Sequence, residues 1–231
     1  MAEGVTLLRE ALANGIVPEA VFFAPDADTA LVDAARVAGA ATHALAPGVM
    51  ESIADAVTPQ PVCAVLPMRD VALAELAGDG VVVVAVDVRD PGNAGTLIRS
   101  AAAAGAAGVV LCEGCVDLHN PKTVRATAGA LFRLPVVTSV SVDGALRSLG
   151  AAGRRRLAAT ARDGDDYTRV DLTAPTALVV GNETRGLPDV LVGIDGSITI
   201  PMPGLTESLN VGVATAVLCF EAARQTRAAV A

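Results

Sequence analysis

Apolar residues in this chain gather in short runs separated by stretches of helical spacing. Residues 81–86, Val-Val-Val-Val-Ala-Val, form a continuous and mostly β-branched run, the pattern of a strand covered on both faces in a parallel sheet. Similar runs recur at 108–111, 135–140, 157–161, 177–180 and 197–200. Between several of them, residues 94–104, 123–131, 143–149 and 211–227 repeat Ala, Leu and Val with helical period. Strand alternating with helix predicts a doubly wound α/β sheet. Residues 3–67 carry a smaller version of the pattern. A helix begins near Glu3, strands are expected at 21–24, 41–46 and 62–66, and helices at 28–39 and 48–57. Residues 68–80, helical over 71–77 and ending Gly78-Asp79-Gly80, form a connector. The expected division is therefore a small α/β unit at 1–67, a linker at 68–80 and a larger unit at 81–231.

At 231 residues the chain can hold one large or two small domains. Its longest uncharged stretch, residues 37–50, is 14 residues. A membrane-spanning helix needs about 20 apolar residues. The N-terminus lacks a basic start, an apolar run and a small-residue cleavage site, so a cytoplasmic protein is expected. Four cysteines (Cys63, Cys112, Cys115 and Cys219) do not make a disulfide framework in a chain of this size and fit a reducing compartment.

The formal charge of −8 argues at first against an acidic polymer as partner. Its distribution changes that inference. Residues 1–79 carry 3 basic and 11 acidic side chains, whereas 80–231 carry 14 of each. All of the acidic excess lies in the first third of the chain.

Three segments, each at the end of an apolar run, could carry chemistry. In Asp87-Val-Arg-Asp-Pro-Gly-Asn-Ala-Gly-Thr-Leu-Ile-Arg99, Gly92 and Gly95 permit close backbone approach before a helix. It is neither a Walker loop nor the dinucleotide fingerprint. The plainer reading makes Asn93 a helix cap and Arg99 a solvated helix charge. In Gly181-Asn-Glu-Thr-Arg-Gly186, Asn182 and Glu183 place an amide and a carboxylate at a strand tip, although an ordinary turn would do the same. In Ile200-Pro-Met-Pro-Gly-Leu-Thr-Glu-Ser-Leu-Asn-Val211, a Pro/Gly loop presents Ser208 and Asn210 before a long helix that either could cap.

Taken together and in this order, the three segments resemble the motifs of the SpoU/TrmH-type RNA 2′-O-ribose methyltransferases. Asn93-x-Gly95-x-x-x-Arg99 is similar to the first motif, Asn182-Glu183-x-x-Gly186 to the second and Ile200-Pro-Met-x-Gly204-x-x-x-Ser208-Leu-Asn-Val211 to the third. Residues 120–135 also resemble the family's stretch between the first two. The resemblance implies a parallel-sheet domain with a C-terminal deep trefoil knot, a topology that periodicity alone would not suggest. It further implies S-adenosylmethionine as cofactor, bound by Thr160, Gly181, Ile200 and Leu209, and a homodimer. The implied catalytic set is Arg99, Asn93, Glu183, Ser208 and Asn210. Residues 3–67 resemble the ribosomal-protein-like substrate-binding domain of ribosomal-RNA members, which favours rRNA over tRNA. Relatives commonly begin with a basic lead-in of one helix and one strand, so the expectation is either a missing N-terminal element or a misassigned start codon. The alternatives are a tRNA ribose methyltransferase and a non-catalytic RNA- or ribosome-binding protein that retains the knot.

A ribose 2′-hydroxyl is a poor nucleophile until its proton is accepted or its developing charge is stabilised. A guanidinium is almost never deprotonated in proteins. Arg99 is therefore expected to position the hydroxyl and a neighbouring phosphate, with the phosphate or water accepting the proton. Asn93 would orient the Arg99 loop and the ribose, Glu183 would organise the knot and could also contact the substrate, and Ser208 and Asn210 would hold the catalytic pocket. Lys122, Arg125 and Arg133, together with Arg154-Arg155-Arg156, could contact the RNA backbone, though the triple arginine reads equally as a solvated loop. Cys112-Glu-Gly-Cys115 has metal-ligand spacing but no second pair, so no metal is expected. With one tyrosine, four phenylalanines and no tryptophan, base stacking on aromatic side chains has little scope.

Overall fold

The computed structural model describes every residue except 55, 57, 69, 70, 77, 183, 189, 190 and 231. Among the described residues the strands form two sheets. The smaller contains β1 (Ala2–Glu3), β2 (Ala20–Phe23), β3 (Ala41–Ala44) and β4 (Val62–Val65) in the order β1-β4-β2-β3. β4 runs antiparallel to both of its neighbours, whereas β2 and β3 are parallel. Helices α1 (Val5–Ala13) and α2 (Thr29–Val37) cover this sheet, burying Leu8, Leu31 and Ala35 against Val21, Val62 and Ala64. Asp28 starts α2 by accepting from the Ala30 and Leu31 amides, and α3 (Met50–Ile53) is a single turn.

The larger sheet is wholly parallel. Its strands are β5 (Val81–Ala85), β6 (Gly108–Cys112), β7 (Val136–Val140), β8 (Arg155–Thr160), β9 (Asp165–Asp166), β10 (Thr176–Val180) and β11 (Gly196–Thr199). Their order is β7-β6-β5-β10-β8-β11-β9. The β-branched run of β5 buries both faces, as its pattern predicts. Val81, Val83 and Ala85 face α4 (Pro91–Ala103) and α7 (Val211–Val230), while Val82, Val84 and Val86 face α6 (Val142–Ala151).

The expected helix at 123–131 is broken into α5 (Pro121–Ala126) and a 3₁₀ turn, Ala130–Phe132, because Ala128 (φ 48°) and Gly129 (φ 88°) are left-handed. The connector is not a solvated linker. Its 3₁₀ turn, Leu73–Leu76, buries Leu76 in the core of the larger sheet. The two sheets meet through a shared apolar cluster of Ala2, Leu7, Ala11, Val124 and Phe132. No helix among the described residues is long and apolar enough to cross a membrane.

Candidate functional site

The three sequence segments converge at the carboxyl ends of the central strands, where ligands gather in open α/β sheets. Two asparagines tie them together. Asn182, at the tip of β10, donates from Nδ2 to the Asp87 carbonyl just beyond β5 (2.9 Å), while its Oδ1 accepts from the amides of Thr184 (2.9 Å) and Arg185 (3.1 Å). Asn210 repeats the device. Its Nδ2 donates to Asn93 Oδ1 at 2.8 Å, while its Oδ1 caps α7 by accepting from Gly212 (2.9 Å) and Val213 (3.3 Å). A short amide side chain can accept inside its own turn and donate across to a neighbouring loop at once.

The capping reading of Asn93 is corrected by the geometry. α4 starts at Pro91, capped by Asp90, whose Oδ1 accepts from the Asn93 amide at 2.8 Å. Asn93 thus lies inside the first turn, and its side chain meets Asn210. Two glycines hold α4 in place. A Cβ on Gly95 would come within 2.2 Å of Ala126 Cβ, and one on Gly212 within 2.8 Å of Thr96 Cγ2, so α5 and α7 both approach α4 at backbone distance.

Between the tips of β8, β10 and β11 and the start of α7 lies a cavity of about 350 Å³. All four expected cofactor positions, Thr160, Gly181, Ile200 and Leu209, line it, together with Ser208. Thr160 Oγ1 is buried there with no hydrogen-bond partner among the described residues. A buried hydroxyl left unpaired is costly, so this atom fits a polar ligand group beside an apolar wall of Ile198, Ile200, Leu209 and Leu218. Adenosine with an amino-acid tail has this mixture of apolar ring faces and polar edges. Met202, Arg185 and Glu207 also line the cavity; they went unnoticed in the sequence, although each lies inside the second or third motif.

Arg99 is placed elsewhere. It is exposed, makes no hydrogen bond or ion pair among the described residues, and lines a cleft of about 470 Å³ with Thr6, Glu10, Thr127 and Arg133, where the small unit meets α4. The fold therefore brings Asn93 and Asn210 together and puts Ser208 in the cavity, while Arg99 stands apart from it within one chain. Glu183 lies outside the described residues.

Among the expected RNA contacts, Lys122 is exposed, whereas Arg125 pairs with Glu3 (3.2 Å) and Arg133 with Glu10. The triple arginine is neither an RNA patch nor a solvated loop. Arg154 is 2% exposed and donates to the carbonyls of Leu76, Gly78 and Gly80. Arg155 donates to the Asp171 carbonyl, and Arg156 holds Asp195 through Nε and Nη2 at 2.9 and 2.8 Å. Cys115 donates to the Ala85 carbonyl at 3.3 Å, and burial pushes the Cys112 thiol up to about 12, which suits packing rather than ligation.

Fold and site define an α/β protein that holds a small molecule at the tips of parallel strands, against loops locked by asparagine cross-ties. Residues 80–220 match the model of the SpoU rRNA Methylase family. The chain is 34% identical over 223 residues to the 23S rRNA (guanosine(2553)-2′-O)-methyltransferase RlmP of Bacillus subtilis, covering 95% of this chain and 86% of that one. Among solved structures, the SpoU methyltransferase AviRb of Streptomyces viridochromogenes in complex with AdoMet superposes with a TM-score of 0.86 at 30% identity, covering 98% of this chain and 90% of AviRb. The AdoMet-bound rRNA methyltransferase of Sinorhizobium meliloti gives 0.82 at 32% identity, covering 96% and 85%. The chain belongs to the SpoU rRNA methylase family. It is a methyltransferase, and its methyl donor is S-adenosylmethionine.

Proposed function

We propose that this chain methylates a ribose 2′-hydroxyl of 23S ribosomal RNA. The observation that carries the reading is the strand-tip cavity, in which the unpartnered Thr160 hydroxyl, the Gly181 turn and the apolar wall of Ile200 and Leu209 meet. The relationship to RlmP along nearly the whole chain favours rRNA over tRNA. When bound, S-adenosylmethionine supplies an electrophilic methyl group. Thr160 gives it a hydrogen-bond partner, and the apolar wall keeps water from the nucleoside. Arg99 positions the 2′-hydroxyl and an adjacent phosphate, and the proton leaves to that phosphate or to water. Asn93, held by Asn210, orients the ribose. Ser208 shapes the rim of the pocket, and Glu183 is assigned to organising the second motif. Lys122, Arg125 and Arg133 supply backbone contacts, the two arginines by exchanging a carboxylate for a phosphate.

We further assign residues 1–67 to substrate binding, residues 81–231 to a knotted catalytic domain and the protein to the cytoplasm. The knot is supported by the chain's path. β10 enters between β5 and β8, β11 lands beyond β8, and α7 returns across the sheet to pack on α4. A homodimer is supported by Val213 and Phe220, 47% and 48% exposed seven residues apart on α7, which leave an apolar stripe for a second copy. Such a dimer offers Arg99 a partner's cavity, which its own chain does not provide. Sedimentation should give a dimer that Phe220→Glu dissociates; a monomeric native protein would refute it.

Labelled S-adenosylmethionine, with unmodified rRNA and tRNA offered separately, tests the activity. One 2′-O-labelled rRNA nucleotide is expected, and Arg99→Ala should abolish labelling without changing S-adenosylhomocysteine affinity. Label in tRNA alone would overturn the substrate assignment, and no label in either would favour a binding protein.

A further inference from the structure

Two rings are stacked at the open edge of the small sheet. Phe22 on β2 and His43 on β3 are register partners in parallel strands, and their ring centroids lie 5.2 Å apart with the planes inclined by 23°. The pair ends a row that crosses the sheet: Glu3 of β1 stands opposite Cys63 of β4, Cys63 opposite Phe22, and Phe22 opposite His43. Directly opposed residues of neighbouring strands share one face. Glu3 and Cys63 are buried, Phe22 is half-buried and His43 is exposed, so the row comes into solvent at its β3 end. Among the described residues no strand lies beyond β3. One face of the imidazole therefore rests on Phe22, while the other looks out past the edge of the sheet.

We infer that this outer face of His43 is a platform for one unpaired nucleobase of the RNA substrate, which continues the stack as its third layer. This rests on the assignment of residues 1–67 to substrate binding and deepens it. With 3 basic against 11 acidic side chains over residues 1–79, that part of the chain is poorly suited to hold RNA by its phosphates. A base is held differently, since its π-face is uncharged and stacks on an aromatic ring, histidine included, with no phosphate neutralised. The composition leaves little scope for such stacking, and the fold sets two of its few rings at this one spot. On the other face of β3, Thr42 accepts from Arg36 Nε at 3.1 Å, and Arg36 is also paired with Asp33. A phosphate arriving there meets a cation already engaged, which again leaves the base as the main contact. At the far end of the row Glu3 holds Arg125, three strand spacings or roughly 14 Å from His43, so RNA held at Arg125 reaches the platform within a few nucleotides. A protein strand added to this edge would use main-chain groups of β3 rather than the stacked rings, and β3 is four residues long with Pro47 soon after it.

Two probes separate base from backbone: a ten-nucleotide oligoadenylate, and a ribose-phosphate chain of the same length without bases. The chain has two histidines, His43 and His119, so imidazole ring protons report on the platform by NMR, and His43→Ala identifies the His43 signals. Oligoadenylate should move the His43 ring protons upfield, as a base stacked on the imidazole does, and the abasic chain should leave them in place. In filter binding, His43→Ala should weaken oligoadenylate about tenfold and the abasic chain by less than about twofold, with His43→Phe restoring the native affinity. Restoration by phenylalanine, with unfolding temperatures unchanged, separates a lost stack from a misfolded edge. His43 signals unmoved at saturating oligoadenylate would overturn the inference, as would a His43→Ala protein that loses affinity for both probes equally. Oligoadenylate affinity unchanged in His43→Ala would also overturn it and return the edge to a main-chain partner. A native protein that binds neither probe would overturn the assignment of residues 1–67 to RNA itself, a result distinct from failure of the platform alone.

Discussion

Gly181 offers a direct test of how the second motif builds the cavity. A Cβ at this position would lie 2.4 Å from the Gly186 carbonyl oxygen, 2.5 Å from its carbon and 2.7 Å from the Leu187 nitrogen. All three are backbone atoms that cannot rotate away. Restoring ordinary contact requires the 182–186 turn to retreat by roughly 1 Å. That turn is closed by two bonds, the Asn182 amide to the Gly186 carbonyl at 3.1 Å and the Gly186 amide to the Asn182 carbonyl at 2.9 Å. A retreat of this size takes both out of hydrogen-bonding range, and at about 1 kcal/mol each the loss is about 2 kcal/mol. Because the turn walls the cavity, Gly181→Ala should weaken S-adenosylhomocysteine by about 30-fold in calorimetry. Gly186→Ala is the control. Its Cβ would meet nothing within 4 Å, and only its φ of 69° opposes it, a penalty of about 1 kcal/mol or fivefold. Gly181→Ala binding within threefold of native, or Gly186→Ala binding more weakly than Gly181→Ala, would refute the reasoning.

Asn182→Asp keeps an acceptor for the Thr184 and Arg185 amides but sets a carboxylate against the Asp87 carbonyl, so urea unfolding should show a loss of about 2 kcal/mol; native stability would deny the cross-tie any importance. Arg154→Met strands the Leu76, Gly78 and Gly80 carbonyls and should remove about 3–5 kcal/mol by the same assay, and a loss below about 1 kcal/mol would contradict the connector's dependence on it. Hydrogen bonds from the Arg156 side chain and amide lower Asp195 from 3.8 to about 2. Its contribution is therefore complete above about pH 4 and disappears as pH falls through 2. Asp195 is exposed and screened, so Asp195→Asn should lose only about 1 kcal/mol at pH 7, a difference that closes near pH 2; a difference constant with pH would count against the ion pair.

Much of the fold was legible because mostly apolar runs of four to six residues, bounded by turn residues, read as buried strands. β5, β6, β7, β8, β10 and β11 all fall on such runs within a residue or two. β1 and β9, at two residues each, are too short to show a period. The break at Ala128 carries no local signal, since alanine favours the helix it interrupts; the adjacent Gly129 was the available cue. The α4 start was also readable. Asp90 followed by Pro91 is a stronger N-terminal signal than Asn93, and the acidic cap leaves Asn93 for its long-range role. Arg154 could not be recognised from sequence, because three adjacent arginines look solvated until the fold brings three carbonyls around one of them. The strand-tip positions proposed to hold the cofactor were suggested only by the family resemblance. Arg185 and Glu207 sat inside the same motifs but lacked any sequence property distinguishing them from ordinary loop charges.

The acidic first third of the chain also acquires a physical role. Glu3 and Glu10 reach across more than 120 positions of sequence to Arg125 and Arg133, on the segment between the first two motifs. Glu10 is set there by shape as well as charge, since a Cβ on Gly129 would come within 2.6 Å of its Cβ and Cγ. Acidic residues of the small unit thus dock it against basic residues of the larger one, alongside the apolar contact of Leu7 and Ala11 with Val124 and Phe132. Docking accounts for only two of the carboxylates, one of which, Glu10, lines the Arg99 cleft. Lys122 and Arg99 remain exposed without acidic partners among the described residues, so neither has to give up a carboxylate to pair with a phosphate. Arg133 becomes available to RNA only by exchanging Glu10 for a phosphate. That exchange conserves the number of ion pairs on Arg133 and makes its net contribution to RNA affinity smaller than its position in the cleft suggests.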